Sequence, residues 1–221
     1  MGQSLKEGFL NLFFPWDNQC ALCQRALVGA EHILCTHCQT DLTACSLTLP
    51  ERLSTHEPLS LCICAFAYEN AVRQLIHHLK YHSNATVAPL LGLHMCAALL
   101  DAPATRDWDA VVPVPLHPSK LRLRGYNQAE LLAQEITGCF GLSLRTDLLL
   151  RVKATISQTK RSAEERRSIM QGVFEAVPAV AGLSILLVDD VLTTGATATA
   201  CAEALLSAGA KDVTLLATCH A

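Results

Sequence analysis

Apolar residues recur along this chain in two rhythms. Short apolar or alternating runs, suited to strands, occur at 62–68, 108–114, 148–152, 172–177, 185–188 and 213–218. Between them the apolar positions return every three or four residues. This spacing predicts helices over 69–81 (Val72, Leu75, Ile76, Leu79), 87–100 and 129–140, and a helix after Gly195 with Ala198, Cys201 and Leu205 on one side. Gly209 is placed to stop that last helix. A further short helix is expected over 5–14, with Leu5, Phe9, Leu12 and Phe13 together and Pro15 as its stop. Strands alternating with helices predict an α/β class domain.

Composition narrows the class. The chain has 221 residues, 51% of them hydrophobic and 17% charged, which is a globular balance. That length accommodates one ordinary domain and a small module. We expect the module over 1–58 and the main domain over 59–221. No apolar run reaches the roughly 18–20 residues of a spanning helix, and the longest apolar-rich piece is broken by Pro89 and His94. No stable membrane insertion is expected. The N-terminus lacks a basic start and a cleavage site, so a cytoplasmic protein is expected. In that compartment the 11 cysteines argue for metal ligands or buried thiols rather than disulfides.

The cysteines are not scattered. Cys20-x-x-Cys23 and Cys35-x-x-Cys38 are separated by 11 residues. Each pair can turn two thiolates toward one ion, and two pairs complete a tetrahedral shell. The expected cofactor is a structural zinc held by Cys20, Cys23, Cys35 and Cys38. Cys45, Cys62 and Cys64 lack such spacing and are read as packed thiols. His77, His78 and His82 are read as solvated or packed, and Lys80 beside Tyr81 as a possible anion contact.

Charge is unevenly spread. The net charge is −3, yet 10 of the 17 Lys and Arg lie between Lys120 and Arg167 against five acids. A basic surface is thereby set aside on an otherwise acidic chain, as an anionic ligand would require.

The chemistry concentrates in 185–197. The apolar run Ile185–Val188 meets Asp189 and Asp190, then Thr193, Thr194, Gly195, Ala196 and Thr197, then the last helix. A strand, a small hydroxyl-rich turn and a helix in that order offer free backbone N–H groups and a favourable helix dipole to a phosphate. Gly195 permits a positive φ or close backbone approach. The two acids upstream suit ribose hydroxyls or hydrated Mg2+ instead. No Gly-Lys-Ser/Thr follows, so this is not a P-loop.

A second strand–turn unit precedes it. The run from Trp108 meets Pro113 and Pro115 and opens into a basic loop carrying Lys120, Arg122, Arg124 and Gly125. Val114, Pro115, Lys120 and Arg124 are expected to form a pyrophosphate loop, with Gly125 permitting close backbone approach. From Lys153 to Gln171 the chain is polar and basic, a candidate lid with Lys153, Gln158, Lys160 and Arg166. For nucleic acid, the candidate contacts are Lys120, Arg122, Arg124, Lys160, Arg161 and Arg167. Tyr126 and Phe140 are the only aromatic residues of that region, so base stacking is thinly supplied.

The Asp189–Thr197 segment resembles the 5-phosphoribosyl-1-pyrophosphate (PRPP) motif of type I phosphoribosyltransferases. There the acids hold the ribose hydroxyls and the Thr-Thr-Gly-Ala-Thr turn holds the 5′-phosphate. With the four-cysteine ribbon, Leu79-Lys80-Tyr81, Val112-Pro113-Val114-Pro115-Leu116-His117 and Arg124-Gly125-Tyr126-Asn127-Gln128, nearly the whole chain resembles the ComF family (ComFC or GntX-like). The resemblance implies a type I phosphoribosyltransferase-like parallel sheet flanked by helices, behind an N-terminal zinc ribbon. It implies PRPP with Mg2+ as ligand, and a role in handling internalised single-stranded DNA during natural transformation, with a DNA helicase or other competence protein as partner. The alternative is an active phosphoribosyltransferase acting on an unidentified nitrogenous acceptor. In the 6-oxopurine enzymes an Asp two residues before the motif glycine serves at the base; here that position is Thr193.

Overall fold

The computed structural model of the chain describes residues 19–48, 51, 53–54, 56–81, 85–102, 107–154 and 169–221. The expected helix over 5–14, and Gln158, Lys160, Arg161, Arg166 and Arg167 of the lid and basic face, lie outside them.

A five-stranded sheet in the order β1-β2-β7-β6-β3 forms the centre. Its strands are β1 (Leu53–Ser54), β2 (Leu61–Ala67), β3 (Ala110–Pro113), β6 (Ser184–Leu192) and β7 (Asp212–His220). Four run parallel, and β1 pairs antiparallel with β2 at one edge. Both faces are covered. Ile63, Ala65, Val111, Leu186, Val188 and Leu216 face a core with the helices α2 (Asn70–Tyr81), α3 (Ala88–Leu100) and α5 (Gln128–Phe140). Cys62, Cys64, Val112, Ile185, Leu187 and Leu215 face a second core with α6 (Ala196–Ser207) and a separate two-stranded antiparallel sheet, β4 (Leu149–Arg151) and β5 (Phe174–Ala176). Alternate residues of one strand thus enter opposite cores, which is why the strands read as unbroken apolar runs. Cys62 and Cys64 are both buried in the second core.

The N-terminal ribbon packs on the first core. Gln19 bridges to Ala26, and the Cys20 amide donates to the Arg25 carbonyl at 2.7 Å, closing the first knuckle. The second knuckle opens α1 (Thr36–Ala44), with Cys35 at its N-cap. Between them Glu31 accepts from the amides of Val28 and Thr36, from the Thr36 hydroxyl and from Arg25. These bonds, the Thr36 amide first, hold its carboxyl down at about 2. Leu27, Leu34 and Leu42 tie the ribbon to the cluster containing Leu75 and Leu79 of α2. No helix among the described residues is long and apolar enough to cross a membrane.

Two local expectations change. Strand β6 does not end before the acids but carries them. Beside it β7 runs on to His220, pairing Asp189 with Ala217 and Leu192 with His220. The basic loop contains a helix, α4 (Pro118–Arg124), with Pro118 as its first residue and the His117 side chain accepting from the Ser119 amide. It buries none of its residues, so it lacks the apolar stripe by which helices are recognised. Gly125 closes it in the left-handed region at φ 86, with open space around it. Its role is a C-cap rather than close approach.

Candidate functional site

The acids, the Thr-Gly turn, the end of β3 and the end of α2 meet at the carboxyl end of the parallel strands. This is where ligands sit in open α/β sheets. Gly195 caps α6 at φ 75 and makes no side-chain bond to the helix's first amides. Such N–H groups at a helix start suit an anion, with Thr194 and Thr197 half-buried beside them and Thr193 exposed. Gly195 is required here twice over. Its φ is left-handed, and a Cβ would stand 2.9 Å from Nδ1 of His56, which rests on the turn from the segment before β2. Gly195→Ala is therefore expected to lower stability by about 1–2 kcal/mol and to weaken phosphate binding at the turn at least tenfold. Urea unfolding and titration with ribose 5-phosphate measure the two effects, and unchanged affinity would remove the turn from the site.

Asp190 is only 4% exposed. Its Oδ2 is 2.7 Å from Nζ of Lys80, on the last turn of α2. Burial alone would lower the lysine, but the charges of Asp190 and then Asp189 outweigh it and raise it above its ordinary value. Asp189 is half-buried, and its Oδ1 accepts the Asp190 amide at 2.8 Å. Burial, then the neighbouring Asp190 charge, push its carboxyl well up.

Lys80 and Arg151 feel the charge of these acids, and two further cations lie near that pair. Burial lowers Lys120, and the nearby charges of Arg151, Arg124 and Lys80 lower it further. Arg151, on β4, is itself lowered by burial and partly held up by Asp189. Its guanidinium lies over the Phe174 ring at 5.3 Å. Four cations from α2, α4 and β4 thus share one neighbourhood, which suits the several negative charges of a pyrophosphate.

The Arg124–Gln128 segment binds the pieces together. Arg124 donates from Nη1 to Oε1 of Gln128 and places its guanidinium 5.6 Å from the centre of the Tyr81 ring. Tyr126 donates its hydroxyl to the Leu79 carbonyl at 2.6 Å, clamping the end of α2 that carries Lys80. Asn127 donates to the Val114 carbonyl at 3.0 Å and accepts from the Ala129 amide, so one side chain fixes the expected pyrophosphate loop and caps α5. The Val114 amide donates to the Val188 carbonyl, which lays Val114 and Pro115 beside β6.

Of the expected site residues, Asp189, Asp190, Thr193–Thr197, Val114, Pro115, Lys120 and Arg124 lie around this strand end. Arg122 is exposed on α4. Lys153 is exposed too, with its Nζ 3.1 Å from where a Cβ on Gly172 would stand. Sequence reasoning does not place Lys80 on Asp190, and it misses His56 and Arg151 at the site. Only the cation next to Tyr81 gives a signal; a lone Arg in a short strand and a His before one give none.

In the ribbon, the ligand atoms of Cys20, Cys23, Cys35 and Cys38 all lie within 4.8 Å of one another. Three of the four are buried, and Cys23 and Cys35 stand 3.7 Å apart. Four convergent thiols could hold a metal ion such as zinc. This is the one such cluster among the described residues. At Asp190 the fit to a divalent cation is poor, because the Lys80 ammonium stands 2.7 Å from Oδ2 and repels a second cation there.

Comparison with known proteins places these features in company. Residues 124–221 match the Phosphoribosyl transferase domain family. The chain is 30% identical over 204 residues to DNA utilization protein YhgH of Salmonella typhimurium, covering 91% of this chain and 89% of that one. It is 28% identical over 222 residues to Competence protein F of Haemophilus influenzae, covering 92% and 90%. It is 25% identical over 193 residues to Competence protein ComFC of Bacillus subtilis, covering 86% and 72%.

Proposed function

This chain belongs to the ComF family of competence and DNA utilization proteins, and from that premise we propose that it binds a PRPP-type phosphoribosyl ligand and serves in the handling of incoming single-stranded DNA. The observation that carries the ligand reading is the N-terminus of α6 behind a left-handed Gly195, with two carboxylates upstream, Lys80 on the second of them and three further cations near Lys80. The 5′-phosphate would take the amides of the Gly195–Thr197 turn and the hydroxyls of Thr193, Thr194 and Thr197. The ribose hydroxyls would donate to Asp189 and Asp190. The pyrophosphate would lie against Lys120, Arg124 and the Val114–Pro115 backbone. There the cations would also stabilise charge on a leaving pyrophosphate, should transfer to an acceptor occur.

The printed names of the relatives, DNA utilization and competence, support the second half. So does the exposed cationic helix α4 at the mouth of the site. Lys120, Arg122 and Arg124 would track a DNA backbone there by charge, with affinity falling steeply as salt rises. The ribbon would carry zinc as a structural ion, its four thiolates closing the shell against water. We further propose the division into a metal module over 1–58 and a phosphoribosyltransferase-like domain over 59–221.

Calorimetric titration of the zinc-loaded protein with PRPP, alone and after saturation with a single-stranded oligonucleotide, tests both halves. PRPP binding is expected, with its affinity altered by the oligonucleotide. Absence of PRPP binding overturns the ligand reading, and absence of oligonucleotide binding at low salt overturns the DNA reading. Release of pyrophosphate in an acceptor screen would add turnover to binding.

A further inference from the structure

We infer that the Lys80 ammonium occupies the place of the divalent cation at the second acid, so that this pocket takes its anionic ligand without requiring Mg2+. The inference rests on the ligand reading above and departs from its usual metal requirement. The ammonium stands 2.7 Å from Asp190 Oδ2, on a side chain 25% exposed facing a carboxylate 6% exposed. It is not a long surface lysine in chance contact. The helix around it is held from the other side by the Tyr126 hydroxyl on the Leu79 carbonyl and by Arg124 over the Tyr81 ring.

The remaining donors point the same way. Asp189 Oδ1 already accepts a backbone amide. Lys80 and Arg151 feel the charge of the two acids, and Lys120 and Arg124 lie near those cations, so the neighbourhood carries more positive than negative charge before any metal enters. A divalent cation arriving there meets an ammonium at the carboxylate it would use, with like-charge repulsion strengthened by burial. A pyrophosphate meets the opposite: cations preset at short range, and no need for a metal to neutralise it. The acids retain lone pairs for ribose hydroxyls, which, unlike a divalent cation, are not repelled by the ammonium.

The experiment compares PRPP affinity with and without excess Mg2+, in metal-depleted buffer free of strong chelators so that the ribbon keeps its zinc. Wild type is expected to change by less than about threefold, and Lys80→Met to bind about tenfold or more tightly with Mg2+ than without. Lys80→Arg keeps the charge and is expected to follow wild type, which separates charge from loss of the fold. Mn2+ titration of the unliganded protein, read by electron paramagnetic resonance, gives a second readout. Wild type is expected to show no site at the acids, and Lys80→Met to gain one that is lost again in Lys80→Met/Asp190→Asn. PRPP binding by wild type only with Mg2+, or equal Mn2+ binding by wild type and Lys80→Met, overturns this inference and leaves the ligand reading standing. PRPP binding in neither condition overturns both.

Discussion

Cys38→Ser is expected to abolish metal binding at the four thiols and to unfold the ribbon while the central sheet persists. Cys38 is buried on α1 beside Leu42 and faces the three other thiols. A structural zinc contributes on the order of 10–16 kcal/mol of apparent folding free energy in small modules, far more than the few apolar residues of this segment supply. Leu27, Leu34 and Leu42 are its buried leucines, at about 1.5–3 kcal/mol each relative to exposure. Without the ion these cannot hold the ribbon against its chain entropy. Metal analysis should give less than about a fifth of an equivalent per chain, and limited proteolysis should cut within 19–45 before it cuts the sheet. A variant with full metal content would remove the four-thiol site. One that loses metal but resists cleavage would show that packing on α2 alone holds the ribbon.

Asp190→Asn is the second large effect, and it should reach beyond the ligand. The carboxylate is the partner of Lys80, so removing its charge leaves an ammonium with a largely buried stem facing a neutral amide. Breaking a fully buried pair from one side costs about 3–5 kcal/mol; with Lys80 a quarter exposed and able to reach water, roughly 2–4 is expected. Lys80→Met in the same chain removes the orphaned charge and should recover more than half of the loss. The measurement is the double-mutant cycle in urea. Additive losses would mean that the pair contributes nothing to stability and that Asp190 is held for the ligand alone. Asp190→Asn has a second consequence for binding, since a neutral amide no longer accepts ribose hydroxyls on both oxygens. Loss of PRPP affinity that survives in the double variant would belong to this term rather than to the fold.

Both predictions start from residues that local sequence exposes unevenly. The doubled CxxC and the Asp-Asp…Thr-Thr-Gly-Ala-Thr run stand in the chain as spacing, because each is built within a few residues by one turn or one strand–helix join. The helices α2, α3, α5 and α6 stand there too, through the apolar stripe each must bury. The α4 helix is hidden from such reading because it buries nothing, and the end of β6 because its length depends on the neighbouring strand β7. Gly125 can be marked as conformationally special from its surroundings, but whether it serves as a cap or as a point of close approach depends on what lies near it.

The sequence by itself therefore determined the class of the fold, the positions of its apolar strands and helices, the four thiols and the phosphate-type turn, because these are short-range consequences of side-chain type and period. Only the tertiary structure decided what surrounds the turn: Lys80 on Asp190, His56 on Gly195, Asn127 on Val114, and Arg151 among the cations. Each of these joins residues from separate elements whose meeting is set by sheet order and helix packing. The ion pair and the Asn127 bond are directional contacts between distant residues, and such meetings leave no periodic trace in a chain whose periodicity records only what must be kept from water.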